Sequence, residues 1–147
     1  MAAAAVAFAG CAYAEAFNMT GTWALNVEKS NFGGAPAPKS AVVHVTHNEP
    51  NLHYTVDFTD PEGKTHSQTI DGVLDGKSHA QSTEQGGTMT MTRLDDHSYR
   101  ELWTSTDGKT TEDATLTISP DGKTANRKVT VKGPQGTFEA TELYEKQ

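Results

Sequence analysis

The feature that most constrains this chain is how regularly it is interrupted. From Ser40 onward, clusters of Gly, Pro and Asp recur every ~10–14 residues, and the stretches between them are rich in β-branched and aromatic side chains. Leu52, Tyr54, Val56 and Phe58 alternate with His53, Thr55 and Asp57, a period of two that buries one face of a strand. Similar runs are read at 41–47, 65–70, 78–83, 88–94, 98–105, 110–119, 124–132 and 137–146, after a first at 20–28. Asp71-Gly72 and Asp75-Gly76 are read as breaks. No segment of helical length carries a 3.6-residue apolar repeat. Such spacing belongs to all-β sandwiches and barrels.

Turn chemistry narrows the choice. Asp60-Pro61-Glu62-Gly63-Lys64 combines a Pro that fixes φ with a Gly that supplies positive φ. The Gly-Lys-Thr sequence at Gly63, Gly108 and Gly122 is shared hairpin chemistry, because a phosphate-binding loop needs an earlier Gly and a following helix. Tight turns join consecutive strands as antiparallel neighbours, and closing such a meander removes its exposed edges. The one long connection, 29–39, carries two Gly and two Pro and is placed to cover a barrel mouth, with Phe32 as a cap or rim anchor. The expectation is an all-β fold, an antiparallel up-and-down β-barrel of 8–10 strands.

The 147 residues suit one domain. A formal net charge of −7 lacks the basic stripe that nucleic acid requires, and no apolar run reaches the ~20 residues of a membrane-spanning helix. Residues 1–14 differ from the rest: they are Ala-rich, without a charged side chain, and end Ala12-Tyr13-Ala14. Small residues there suit signal-peptidase cleavage, which predicts an exported chain, periplasmic or extracellular, with the barrel domain at 15–147. Phe8-Ala9-Gly10-Cys11 offers the alternative of a lipid anchor at Cys11. Cys11 is the only cysteine, so the barrel has no disulfide.

Trp23 shares a strand face with Gly21, Leu25 and Val27, and Gly21 leaves room beside the indole. Gly21-Thr22-Trp23, preceded by Phe17 and Asn18, resembles the Gly-x-Trp motif of the lipocalins and the wider calycin group. The resemblance implies a barrel that binds a small hydrophobic molecule, with the Trp across its closed end and a late-strand Arg packed over it. Arg127 is the matching position. Ten strands resemble the fatty-acid-binding proteins more than the eight-stranded lipocalins. The carboxylate clamp of those proteins, Arg-x-Tyr, here reads Glu142-Leu143-Tyr144.

The chain has three arginines, each on the parity of an apolar strand face. Arg127 is read as a structural partner of Trp23 and Gly21 at the barrel plug, by cation–π stacking. Arg93, behind Met89 and Met91, is read as meeting a ligand carboxylate at the mouth, while Arg100 bends outward. Tyr54, Phe58, Met89, Met91 and Arg93 are the expected ligand-facing residues. Ala80, Ser82, Ala114 and Ala140 would leave space between the larger wall residues. Six histidines invite a metal, but His44, His53 and Asp57 are too few to converge, and no metal or other cofactor is expected. Neither a nucleophile-elbow motif nor an interior polar cluster is read, so no catalysis is expected. The function expected is binding or transport of a small hydrophobic ligand by a monomer. The alternative is a structural or protein-interaction module of the cell envelope with a filled barrel.

Overall fold

In the computed structural model, which describes residues 17–147, the chain forms β1 (Gly21–Leu25), β2 (Ser40–Asn48), β3 (Asn51–Thr59), β4 (Thr65–Val73), β5 (Ser78–Ala80), β6 (Thr88–Arg93), β7 (Ser98–Thr104), β8 (Thr111–Ile118), β9 (Thr124–Gly133) and β10 (Gly136–Lys146). All ten lie in one antiparallel sheet, in the order β4-β3-β2-β1-β10-β9-β8-β7-β6-β5. Consecutive strands are neighbours throughout, and β1 joins β10 with Trp23 opposite Lys146 and Leu25 opposite Tyr144. The architecture is the expected all-β barrel, nearly closed. The leader read at 1–14, with Cys11 and the cleavage site after Ala14, lies outside the described residues.

Sequence chemistry explains the hairpins residue by residue. In the β7–β8 turn the Ser105 hydroxyl donates to the Asp107 carboxylate at 2.7 Å, which accepts from the Lys109 N–H at 3.0 Å. The β8–β9 turn repeats this with Ser119, Asp121 and Lys123 at 2.6 and 3.0 Å. In both, the Gly between Asp and Lys has φ of +70°, which a residue with a Cβ rarely adopts.

The barrel closes between β4 and β5–β6 through side-chain packing and isolated hydrogen bonds instead of a ladder. Gln81 clasps the backbone of Asp71, its amide donating to the carbonyl at 2.8 Å, and the Gly76 N–H donates to the Met91 carbonyl at 2.9 Å. Met91 is fully buried over Gly72, where a Cβ would lie 2.0 Å from its sulfur. This corrects the reading of Asp71-Gly72 as a break. The pair lies inside β4, and the glycine is there to admit Met91 across the seam.

Trp23 is 2% exposed and sits in the main core cluster with Met19, Leu52, Met91 and Ile118. The segment from Phe17 to Thr20 crosses this end of the barrel. Phe17 donates its N–H to the Asp96 carbonyl at 2.9 Å and rests on Gly122, whose Cβ would come within 2.5 Å of the ring. The Met19 carbonyl accepts the indole N–H of Trp23 at 3.0 Å. The cation over the indole is Lys146, 5.4 Å from the ring centroid, and not Arg127. Gly21 makes room for that lysine, since a Cβ there would lie 2.9 Å from its side chain.

Truncating Trp23 to Ala removes the indole, its hydrogen bond to Met19 and the seat of Lys146. Urea denaturation should show a loss of about 3–5 kcal/mol, as for other fully buried large aromatics. A loss under about 1 kcal/mol would mean that the indole does not organise this end.

Candidate functional site: a cavity with a buried charge cluster

Chain direction sets the two ends of the barrel. The β2–β3, β4–β5, β6–β7 and β8–β9 connections share one end with the Phe17–Thr20 segment, and loop 26–39 shares the other with the remaining turns. A cavity of about 440 Å³ runs between them. Its floor is Met19 and Trp23, and its walls include Val43, Val45, Val56, Ile70, Met89 and Leu116. At the mouth stand Pro36 and Pro38 from the long loop, Pro61 from the β3–β4 turn, and Phe58 and Trp103. The long loop thus contributes its prolines, and Phe32 is not among the lining residues.

A polar cluster lies within this wall. Arg127 on β9 donates to Glu142 on β10 at 3.3 Å and to Glu112 on β8, and stands 3.7 Å from Glu101 on β7. The Tyr54 hydroxyl donates to Glu101 at 2.9 Å, and the Tyr144 hydroxyl to Glu142 at 3.0 Å. Glu101 is 5% exposed. Burial pushes its carboxyl above the ordinary range, against the opposing pull of Arg127 and the Tyr54 hydrogen bond. Burial, then the neighbouring carboxylates, holds the Tyr54, Tyr99 and Tyr144 hydroxyls protonated. Burial alone would lower the Arg127 pKa, but Glu112, Glu101 and Glu142 together raise it well above its usual value.

Of the residues expected to face a ligand, Tyr54, Phe58 and Met89 line the cavity. Met91 does not, because its side chain is spent on the seam over Gly72. Arg93 is at the end away from the mouth, where it holds Glu49 with two guanidinium nitrogens at 2.7–3.1 Å. Strand direction explains this: β6 begins at the mouth with Thr88 and ends at the closed end with Arg93. Arg127 and Trp23 both line the cavity, yet the guanidinium is engaged by glutamates. Arg100 is on the outer face, bonded to Asp113 at 2.5 and 2.8 Å.

The carboxylates were missed, and parity carried the signal. Glu101 shares its strand face with Tyr99 and Trp103, Glu112 with Ala114 and Leu116, and Glu142 with Ala140 and Tyr144. The sequence reading followed the arginines by parity and did not extend the same test to the acids. Among the described residues no group of three or more His, Cys, Asp or Glu is arranged to hold a metal ion. Five of the six histidines pair singly with acids, as His53 does with Asp71 at 2.5 Å and His66 with Asp60 at 2.8 Å.

The raised pKa of Glu101 fixes the sign of a pH effect. Its contribution to stability is complete below its ordinary value of 4.5 and is lost as pH rises through the higher folded value. Glu101→Gln, which cannot ionise, should therefore gain stability relative to the parent as pH is raised above 4.5, by up to about 1.4 kcal/mol for each pH unit inside that window. Urea midpoints measured at acid and neutral pH check this. A difference between the two proteins that stays constant with pH would show that Glu101 is not held in its protonated form by the fold.

No protein-family model and no curated sequence matches the chain. Solved structures do. Zebrafish ileal bile acid-binding protein complexed with cholic acid is 18% identical, with 87% of this chain and 98% of that one covered and a TM-score of 0.59. Rv2717c from M. tuberculosis is 15% identical over 88% and 92%, with a TM-score of 0.57. A Schistosoma mansoni fatty acid binding protein in complex with arachidonic acid is 14% identical over 91% and 99%, with a TM-score of 0.56. At these identities the likeness shows the fold: this chain has the barrel architecture of the fatty-acid-binding proteins and their calycin-like relatives.

Proposed function

We propose that the protein binds a small, mainly apolar molecule inside the barrel, as an exported carrier or binding protein. The observation that supports this most directly is the cavity of about 440 Å³, which lies in the range of small-molecule sites and combines apolar walls with a few convergent polar groups. The fold adds weight, because two of the structures it resembles hold cholic acid and arachidonic acid. Export rests on the Ala-rich leader that ends at Ala14. The envelope-module alternative calls for a filled interior and an apolar outer patch. Among the described residues the exposed large hydrophobics are Leu94 and Leu102, which do not favour it.

Titration with the neutral dye Nile red, followed by fluorescence, tests the cavity. The expected result is saturable binding, weakened about tenfold or more by Val56→Trp, which places an indole in the cavity wall. Thermal melts should show that this variant remains folded. Saturable binding unaffected by Val56→Trp would place the dye elsewhere, and an absence of binding would remove the proposal.

A further inference from the structure

The charges inside the cavity do not balance. Arg127 is the one cationic side chain among the lining residues described, and it is opposed by Glu101, Glu112 and Glu142, with Asp60 at the mouth. Formally, three carboxyl groups share one guanidinium. Two of the three are well buried: the Glu101, Glu142 and Arg127 side chains are 7%, 17% and 18% exposed, while Glu112, nearer solvent, is 33% exposed. In a site shielded from water an uncompensated carboxylate has two ways out, to take up a proton or to acquire a cation.

The donors in the cluster are already directed at its own carboxyl groups. The Tyr54 hydroxyl is given to Glu101, the Tyr144 hydroxyl to Glu142, and the guanidinium to Glu112 and Glu142. An entering carboxylate would add a fourth acid to this cluster and compete with Glu101, Glu112 and Glu142 for the same guanidinium. An entering ammonium meets the opposite situation: it brings only donors, and each carboxyl group has acceptor capacity left after one or two bonds. It would neutralise part of the surplus and draw the proton from Glu101, whose carboxyl burial holds above its ordinary range.

We infer that the cavity selects an apolar molecule carrying a protonated amine, held against Glu101 and Glu142, and discriminates against one ending in a carboxylate. This rests on the reading of the cavity as a binding site. It assigns that site a polarity, and the class of ligand is an amphiphilic amine with its apolar body towards Trp23, Val56 and Met89.

Displacement of Nile red by three probes with the same alkyl chain tests it: dodecylammonium, dodecanol and dodecanoate, each below its micellar concentration, at neutral pH and about 0.15 M salt to screen surface charge. The ammonium should displace the dye at a concentration at least about tenfold below that of dodecanol, with dodecanoate weakest. Glu101→Gln and Glu142→Gln, which keep the side-chain shape, should each shrink the ammonium preference. If dodecanoate displaces as well as the ammonium, or if dodecanol binds and the ammonium binds no better, the inference is overturned while the cavity site stands. A preference for the ammonium that both variants leave unchanged overturns it too, because the chain's net charge of −7 would then be its source. If neither the dye nor any of the three probes binds, the cavity reading fails and this inference with it.

Discussion

The interaction on which the barrel's arrangement depends is the enclosure of Arg127. A guanidinium cannot be drawn into an apolar interior alone, and this one recruits carboxylates from β7, β8 and β10, the strands around its own. That requirement links the register of four strands. In the ladder Arg127 stands between Leu116 and Glu142, and Glu101 stands opposite Ala114. A slip of one residue in β9 would turn Arg127 to solvent and leave three acids inside. The hairpin turns are short and similar to one another, so they align neighbouring strands without distinguishing them. The charge cluster makes one alignment unlike the rest. An apolar core of the same volume would be equally stable or more so, which makes the cluster weak evidence for stability and stronger evidence for a constraint on what the interior must do.

The two ends of the barrel are built differently, and the polarity of the site follows from that. At the closed end Phe17, Met19 and Trp23 are packed and hydrogen-bonded, and two cations are occupied outside the cavity. Lys146 lies over the rings of Phe17 and Trp23, and Arg93 is bound to Glu49. Glu49 also takes the Nε2 proton of His47 at 2.5 Å, while His47 Nδ1 accepts the Met19 N–H at 3.1 Å. This chain of contacts ties the β2–β3 turn, β6 and the N-terminal segment together, and it leaves neither cation free to compensate the acids within. At the mouth the long loop is tied to β10 by the Asn31–Thr141 bridge, and prolines of this loop and of the β3–β4 turn edge the opening.

Much of this was legible because it depends on local rules. Strand positions, hairpin chemistry and the inward face of Trp23 follow from alternation and from Asp, Gly and Pro placement, and the structure adds only their bounds. What was not legible depends on three dimensions. Arg93 has the right parity but lies at the wrong end, since parity reports a face and says nothing of depth. Met91 was assigned to a cavity wall because a sequence cannot show that Gly72, on a strand that meets β6 only when the barrel closes, is the space it fills. The partnership of Arg127 with Trp23 came from a resemblance, and here Lys146 takes that role. The inward glutamates were not legible because burial of an acid is costly in isolation and nothing in the sequence brings Glu101, Glu112 and Glu142 together. Only their convergence on one arginine makes their burial feasible.

That convergence separates shape from chemistry. Two of the barrels similar in shape hold cholic acid and arachidonic acid, both carboxylic acids, and a reading from the fold would supply an acid here as well. Folds host many functions, and the site decides among them. In this chain Glu142 and Tyr144 occupy neighbouring inward positions on β10, and the tyrosine's hydroxyl is already given to the glutamate. The residue pair that would have to receive an acid instead presents a carboxylate and a donor already in use. With Glu101 and Glu112 facing the same guanidinium, the electrostatic character of the interior is the reverse of what an anionic ligand requires. A barrel can keep its strands, turns and volume through such a reversal, because hairpin chemistry and apolar walls are independent of the sign of a few buried charges. If the cavity is the binding site proposed, the architecture limits the size of its ligand and the polar layer around Arg127 limits the ligand's charge.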